Sequence, residues 1–224
     1  MITANNLTLK YRDGTEALKG INLRIGSGEL IYVTGPSGSG KTSLVKLLLG
    51  AEKPTSGDLT VLSQPMKNAG STTIRHLRQQ MGPVFQELKL IPGRTAVENV
   101  MTGMRFLDIP HRQLKTRALA ALEKVRLTHK AQSRSENLSW GEKQRVGIAR
   151  AIAREPKLIL ADEPTGNLDR DNAVNILQLL DSLRNSETSV IITTHATHLI
   201  DSQAASQLIH LEYGLVKPTA RQEE

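Results

Sequence analysis

The sequence predicts an α/β fold, a mostly parallel sheet with flanking helices, and three observations carry that expectation. Three short apolar runs, Leu30 to Thr34, Leu158 to Ala161 and Val190 to Thr194, lack polar alternation, as strands covered on both faces do. Helical patterns separate them, Thr42 to Leu49 and Asn172 to Leu183, the latter with Ile176, Leu179, Leu180 and Leu183 tracing one face. A length of 224 residues suits one buried core, or one core with an inserted subdomain, better than two independent domains.

The remaining elements follow in chain order. Leu7, Leu9 and Tyr11, then Leu23 and Ile25, alternate at period two around a turn at Asp13-Gly14, which predicts an N-terminal antiparallel β element. From about Glu87 to Glu155 the pattern is mostly helical, with Leu114, Ala118, Leu122 and Val125 at helical spacing. The expected organisation is a core of residues 1–86 and 156–224, carrying the β element, with residues 87–155 as an inserted helical subdomain. Leu208 to Leu211 and Leu215 to Val216 flank Gly214 as a closing hairpin, and KPTARQEE reads as a terminal tail. The N-terminus has no basic region followed by an apolar core, and no stretch reaches the roughly 20 apolar residues of a membrane helix. Without cysteine there is no disulfide, thiol nucleophile or Cys-ligated metal, which fits an intracellular chain.

The strongest chemical signal is GPSGSGKTS, from Gly35, Pro36, Ser37, Gly38, Ser39 and Gly40 to Lys41, Thr42 and Ser43. It matches G-x-x-x-x-G-K-[ST] between a predicted strand and a predicted helix, the context that a phosphate loop requires. The glycines let backbone N–H groups turn inward as a nest for phosphate at a helix start. Lys41 adds a cation for the β- and γ-phosphates, and the Thr42 hydroxyl is a ligand for Mg²⁺. The core is therefore expected to be that of a phosphate-loop NTPase. LILADEP, Leu158 to Pro164, ends an apolar strand in two carboxylates. Asp162 suits the Mg²⁺ shell and Glu163 the polarisation of an attacking water. An isolated Asp-Glu pair would more often be a cap; the phosphate loop upstream is what turns it toward catalysis.

With these motifs in their order, the chain resembles the ATP-binding cassette ATPases over essentially its whole length. Tyr11 resembles the aromatic residue on which that family stacks adenine, although an edge-strand tyrosine would look the same. Gln86, in GPVFQEL, resembles the glutamine that reaches Mg²⁺ and water and joins the two subdomains. LSWGEKQ, Leu138 to Gln144, resembles the signature sequence, GNLD, Gly166 to Asp169, the D-loop, and His195 the histidine that contacts the γ-phosphate. Ser139 and Glu142 also form an S-x-x-E capping box, so they should start a helix whose free N–H groups favour an anion. The resemblance implies that Ser139, Gly141 and Glu142 face ATP bound to an opposite subunit, in a homodimer with two ATP sites. Trp140 stands where the family usually has glycine. Either it points away and leaves a working signature, or it impedes closure and makes the ATPase slow or regulatory, since a glycine there could serve positive φ or close approach. Lys143 is expected on the exposed side of the capped helix.

Within the family, the stretches YRDGTEALKGINLRIGSGEL, IRHLRQQMGPVFQELKLIPGRTAVENV and ADEPTGNLD most resemble subunits that serve bacterial cell division with a separate integral membrane protein. They are similar, less closely, to ATPases of lipoprotein release and macrolide export; soluble cassette ATPases are a further alternative. The resemblance implies a peripheral protein on the cytoplasmic face of the inner membrane, using ATP and Mg²⁺.

A net charge of +7 and a pI near 9.8 invite a nucleic-acid reading. The excess is local: Arg75 to Lys130 holds eleven basic and four acidic residues, while the other 18 basic and 18 acidic residues balance. No sequence-specific nucleic-acid motif accompanies it. The segment overlaps Gln86 and the predicted helical block, where the family meets its membrane partner, so it is expected to face acidic partner loops or anionic lipid; a merely solvated helix face is the alternative.

Overall fold

A computed structural model describes residues 1–200 and 205–217 of the chain. Strand β1 (Ile2–Lys10) pairs antiparallel with β2 (Glu16–Ile25). Gly14 at φ +90 and a bond from the Thr15 N–H to the Asp13 carboxylate at 2.9 Å make the intervening turn. Strand β3 (Leu30–Thr34) leads into α1 (Lys41–Leu48). Two elements that the sequence does not announce follow, β4 (Ser56–Val61) and the short β5 (Gln64–Pro65). They extend the N-terminal element to a sheet of order β2-β1-β4-β5. Next come α2 (Ser71–Gln79) and β6 (Met81–Val84), also unannounced.

The stretch expected to be mostly helical contains three separate helices, α3 (Ala96–Thr102), α4 (His111–Lys124) and α5 (Trp140–Ile152). Helix begins only at Ala96, and the connections hold two 3₁₀ turns, Thr128–Lys130 and Ser135–Asn137. Leu114, Ala118, Leu122 and Val125 are buried together, as their spacing requires.

The chain then forms β7 (Leu158–Asp162), α6 (Arg170–Ser182), β8 (Ser189–Thr194), β9 (Gln207–Glu212) and β10 (Leu215–Lys217). Helix α6 starts two residues earlier than its apolar pattern suggests, because the Asp169 side chain caps it by accepting from the Asn172 N–H at 2.9 Å. Ala173, Ile176, Leu177 and Leu180 are its buried face, whereas the expected Leu179 and Leu183 are only partly covered. The hairpin β9–β10 forms as predicted. Lys217 belongs to β10, and the rest of the expected tail lies outside the described residues.

The larger sheet has the order β10-β9-β3-β8-β7-β6, parallel from β9 to β6. Its two faces bury different neighbours. Ile31, Val33, Leu158, Leu160 and Ile191 join β1, β2 and α1 in one apolar cluster. Leu30, Tyr32, Ile159, Ala161, Val190 and Ile192 join α3, α4, α5 and α6 in another. Successive side chains of a strand point to opposite faces, so burial on both faces demands the continuous apolar runs read from the sequence. Among the described residues no helix is long and apolar enough to cross a membrane.

Candidate active site

The carboxyl ends of β3, β7 and β8 meet at one edge of the sheet, where a parallel α/β core opens to ligands. Gly35 follows β3 at φ +144, and a Cβ there would overlap the Leu211 carbonyl oxygen. Gly38 at φ +77 and Gly40 at φ +109 complete the curl of the loop. Helix α1 begins at Lys41 with no acidic residue in its first turn, so its free N–H groups face the loop uncompensated. The Lys41 ammonium, only 6% exposed, donates to the Gly35 and Pro36 carbonyls at 2.8 and 3.0 Å and lies 3.3 Å from Glu163 Oε1.

The adjacent carboxylates of β7 have distinct surroundings. Asp162 Oδ1 accepts from the hydroxyls of Thr42, at 3.3 Å, and Thr193, at 2.6 Å. Glu163 sits at φ +47, a left-handed backbone uncommon for a residue with a side chain. Its N–H donates to the Thr193 carbonyl at 3.1 Å and hydroxyl at 3.0 Å. Its Oε2 accepts from the His195 N–H at 3.3 Å and lies 2.9 Å from His195 Nδ1. Thus one carboxylate joins the loop lysine to the histidine that follows β8.

Lys41, Glu163 and His195 line a cleft of about 700 Å³, together with Pro36, Ser37, Gly38, Gly40, Thr42, Ser43, Gln86 and Tyr11, while Asp162 and Thr193 lie behind it. The Tyr11 hydroxyl is 3.0 Å from Ser43 Oγ, and the Lys46 ammonium stands 5.7 Å over its ring. Gln86 is exposed at the cleft and close to the GNLD segment, since a Cβ on Gly166 would lie 2.9 Å from Gln86 Nε2.

Of the predicted residues, Gly35, Ser39 and Asp162 lie behind the lining of this cleft, and Ser139, Gly141 and Glu142 belong to α5 and do not line it either. Their predicted capping box is present on α5: Ser139 Oγ accepts from the Glu142 N–H at 3.3 Å, and the Glu142 carboxylate accepts from the Ser139 N–H at 2.8 Å. That N–H is the main reason why the Glu142 carboxyl is held below the usual carboxylate range, with Lys130 at 3.3 Å adding to it. Trp140 occupies the first position of α5, 44% exposed and without positive φ. The backbone conformation that a glycine could serve is therefore not needed here. Lys143 is half-buried rather than exposed.

Sequence reasoning passed over Thr193, which binds both carboxylate residues yet looks like an ordinary strand threonine in VIITTH. It also passed over Thr15, Glu16, Ala17 and Lys19 of the turn and β2, and Tyr213 and Gly214 of the closing hairpin, all of which line the cleft. No motif marks them, because they reach the site through pairing of distant strands.

The family model "ABC transporter" matches residues 18–166. The chain is 36% identical over 216 residues to the cell division ATP-binding protein FtsE of Bacillus subtilis (strain 168), covering 96% of this chain and 94% of that one. It is 38% identical over 215 residues to FtsE of Mycobacterium tuberculosis, covering 96% and 93%. Among solved structures, the dimeric bacterial ABC transporter cassette MJ0796 superposes with a TM-score of 0.86 at 35% identity, covering 97% of both chains. A dimeric post-hydrolysis state of that cassette, bound to ADP and Pi, gives 0.85 at 33% identity. With a phosphate loop, paired carboxylates and a histidine converging in one cleft, the chain belongs to the ABC transporter family, as one of its ATP-hydrolysing cassettes.

Proposed function

We propose that this cassette hydrolyses Mg-ATP as a head-to-tail homodimer and drives an FtsX-like integral membrane partner in bacterial cell division. The observation that carries the hydrolytic part is Glu163, whose carboxylate reaches both Lys41 and His195 at the mouth of the phosphate loop. In this reading the nest of Gly38 and Gly40 and the Lys41 ammonium hold the β- and γ-phosphates, while His195 contacts the γ-phosphate. Glu163 orients and polarises a water in line with the bond to be broken. The water oxygen bonds to the γ-phosphorus, the bond from that phosphorus to the bridging oxygen breaks and ADP leaves, while the proton that the water gives up passes to the Glu163 carboxylate. The chain's own contribution is positioning and fixed charge.

The residues present fit Mg²⁺: a hydroxyl and a carboxylate already meet at 3.3 Å between Thr42 and Asp162, and Gln86, whose side chain can offer an amide oxygen, lines the cleft. Such an all-oxygen set suits a cation that takes its other ligands from phosphate and water. When bound, the ion neutralises charge on the phosphates. Tyr11 would receive the adenine. Ser139, Gly141 and Glu142 would act across the dimer on the opposite subunit's ATP, which agrees with their lying outside their own cleft.

The relatives named for cell division span nearly the whole chain, which supports that role over lipoprotein release or macrolide export. We read residues 1–86 and 156–224 as the nucleotide-binding core and 87–155 as the unit that meets the membrane partner. Recruitment through that partner would hold the protein at the cytoplasmic face of the inner membrane. Glu163→Gln keeps the shape of the side chain and removes its charge. Steady-state phosphate release should fall at least about 100-fold, the scale of a lost general base, with an ATP-bound dimer accumulating on size exclusion. Unchanged turnover would reject Glu163 in this role.

A further inference from the structure

The turn between β9 and β10 carries an unusual residue. Tyr213 has φ +50 and Gly214 φ +80, two successive left-handed positions that suit a tight hairpin. The first of them ordinarily takes Asn, Asp or Gly, and for a bulky side chain it is a true outlier. Burial does not repay the strain, because Tyr213 is 75% exposed. A strained, exposed aromatic at the edge of a binding cleft points to a ligand contact.

The turn is also fixed to the phosphate loop. The Gly214 N–H donates to the Ser39 carbonyl at 3.1 Å, and the Lys19 N–H donates to the Gly214 carbonyl at 2.9 Å. A Cβ on Gly214 would lie 2.8 Å from the Ala17 carbonyl oxygen. Tyr213 therefore stands on the same wall as Ala17 and Lys19, and that wall continues through Glu16 and Thr15 to Tyr11. Lys41, Thr42 and Glu163, which bring the groups for phosphate, line the same cleft. Two tyrosines, Tyr11 and Tyr213, thus line the cleft beside the residues for phosphate.

We infer that Tyr213 is a second aromatic contact of the bound nucleotide, at its nucleoside end. This rests on the nucleotide-binding reading of the cleft given above. Stacking on a ring face tolerates any base. Tyr213 therefore adds affinity for a nucleotide over a bare polyphosphate without choosing adenine over guanine.

Calorimetric titration of the wild type, Tyr213→Asn and Tyr213→Phe with Mg-ATP, Mg-GTP and Mg-tripolyphosphate tests this. Asn removes the ring while suiting the left-handed turn, so a thermal melt at or above that of the wild type is expected. Tyr213→Asn should bind ATP and GTP about tenfold more weakly and bind tripolyphosphate as the wild type does, whereas Tyr213→Phe should bind all three as the wild type does. ATP affinity unchanged in Tyr213→Asn would overturn the inference. Equal weakening of ATP and tripolyphosphate would overturn it too, because the turn would then act through Ser39 on the loop. A wild type that bound neither ligand would instead reject the nucleotide reading of the cleft.

Discussion

Trp140 occupies an ordinary helical position with its indole half in solvent, so its own backbone gives no reason for the signature to fail. Trp140→Gly should leave the ATPase rate and the dimer fraction unchanged and cost about 0.5–1 kcal/mol of stability, from glycine's greater backbone freedom. A severalfold rise in both on introducing glycine would show that the indole obstructs closure, and rate measurements paired with size exclusion decide it. At this scale much of the site was legible, because Lys41, Thr42, Asp162 and Glu163 belong to contiguous motifs whose chemistry dictates their spacing. Thr193 was not, since hydroxyls that position carboxylates look like any β-branched strand residue. Trp140 itself was legible as a departure, but its φ, one of the two reasons for a glycine there, is something a sequence does not display.

Helix α5 starts at its N-terminal capping box and buries Val146, Ile148, Ala149 and Ile152 in the core. Ser139→Ala should lower thermal stability by about 1 kcal/mol. The Glu142 half of the box adds a pH dependence with a definite sign. Its carboxyl titrates lower in the folded protein than in the unfolded chain, so its contribution is fully present above the ordinary carboxylate range. It is lost as pH falls through the lowered folded value. The difference in melting temperature between the wild type and Glu142→Gln should therefore shrink on acidification; a difference independent of pH would show that charge plays no part in the cap. Among elements, the apolar strands β3, β7 and β8 were readable because both of their faces are covered. Strand β6 was not: its four residues include Gly82 and Pro83, which read as a breaker, and only its place at the sheet edge tolerates them. Strand β4 owes its existence to pairing with β1, some fifty residues away, and local patterns carry no record of such pairing.

Across the whole molecule the basic excess divides into engaged and free charges. Arg78 donates to the Leu49 and Gly50 carbonyls, Arg117 pairs with Glu155, and Lys130 with Glu142. Arg112 and Lys115 are exposed on α4. A groove of about 880 Å³ gathers Arg75, His76, Arg78 and Arg154 around Phe106, a phenylalanine 87% exposed. An apolar anchor ringed by cations suits an acidic, amphipathic segment of a partner better than a nucleic-acid backbone alone. Reversing Arg112 and Lys115 to Glu, which spares the engaged arginines, should weaken cosedimentation with membranes that contain the partner, and more so at low salt. Cosedimentation indifferent to both the reversal and the salt would remove the exposed face of α4 from the docking account. The two clusters on either face of the sheet have a consequence for how this protein tolerates change. Leu30 and Ile31 are neighbours in the chain, yet each answers to a different half of the molecule. A void opened at Ile31 faces β1, β2 and α1, and one opened at Leu30 faces the helices α3 to α6, so a compensating larger side chain should be found among those neighbours. Second-site repair in this fold therefore sorts by the parity of the damaged strand position.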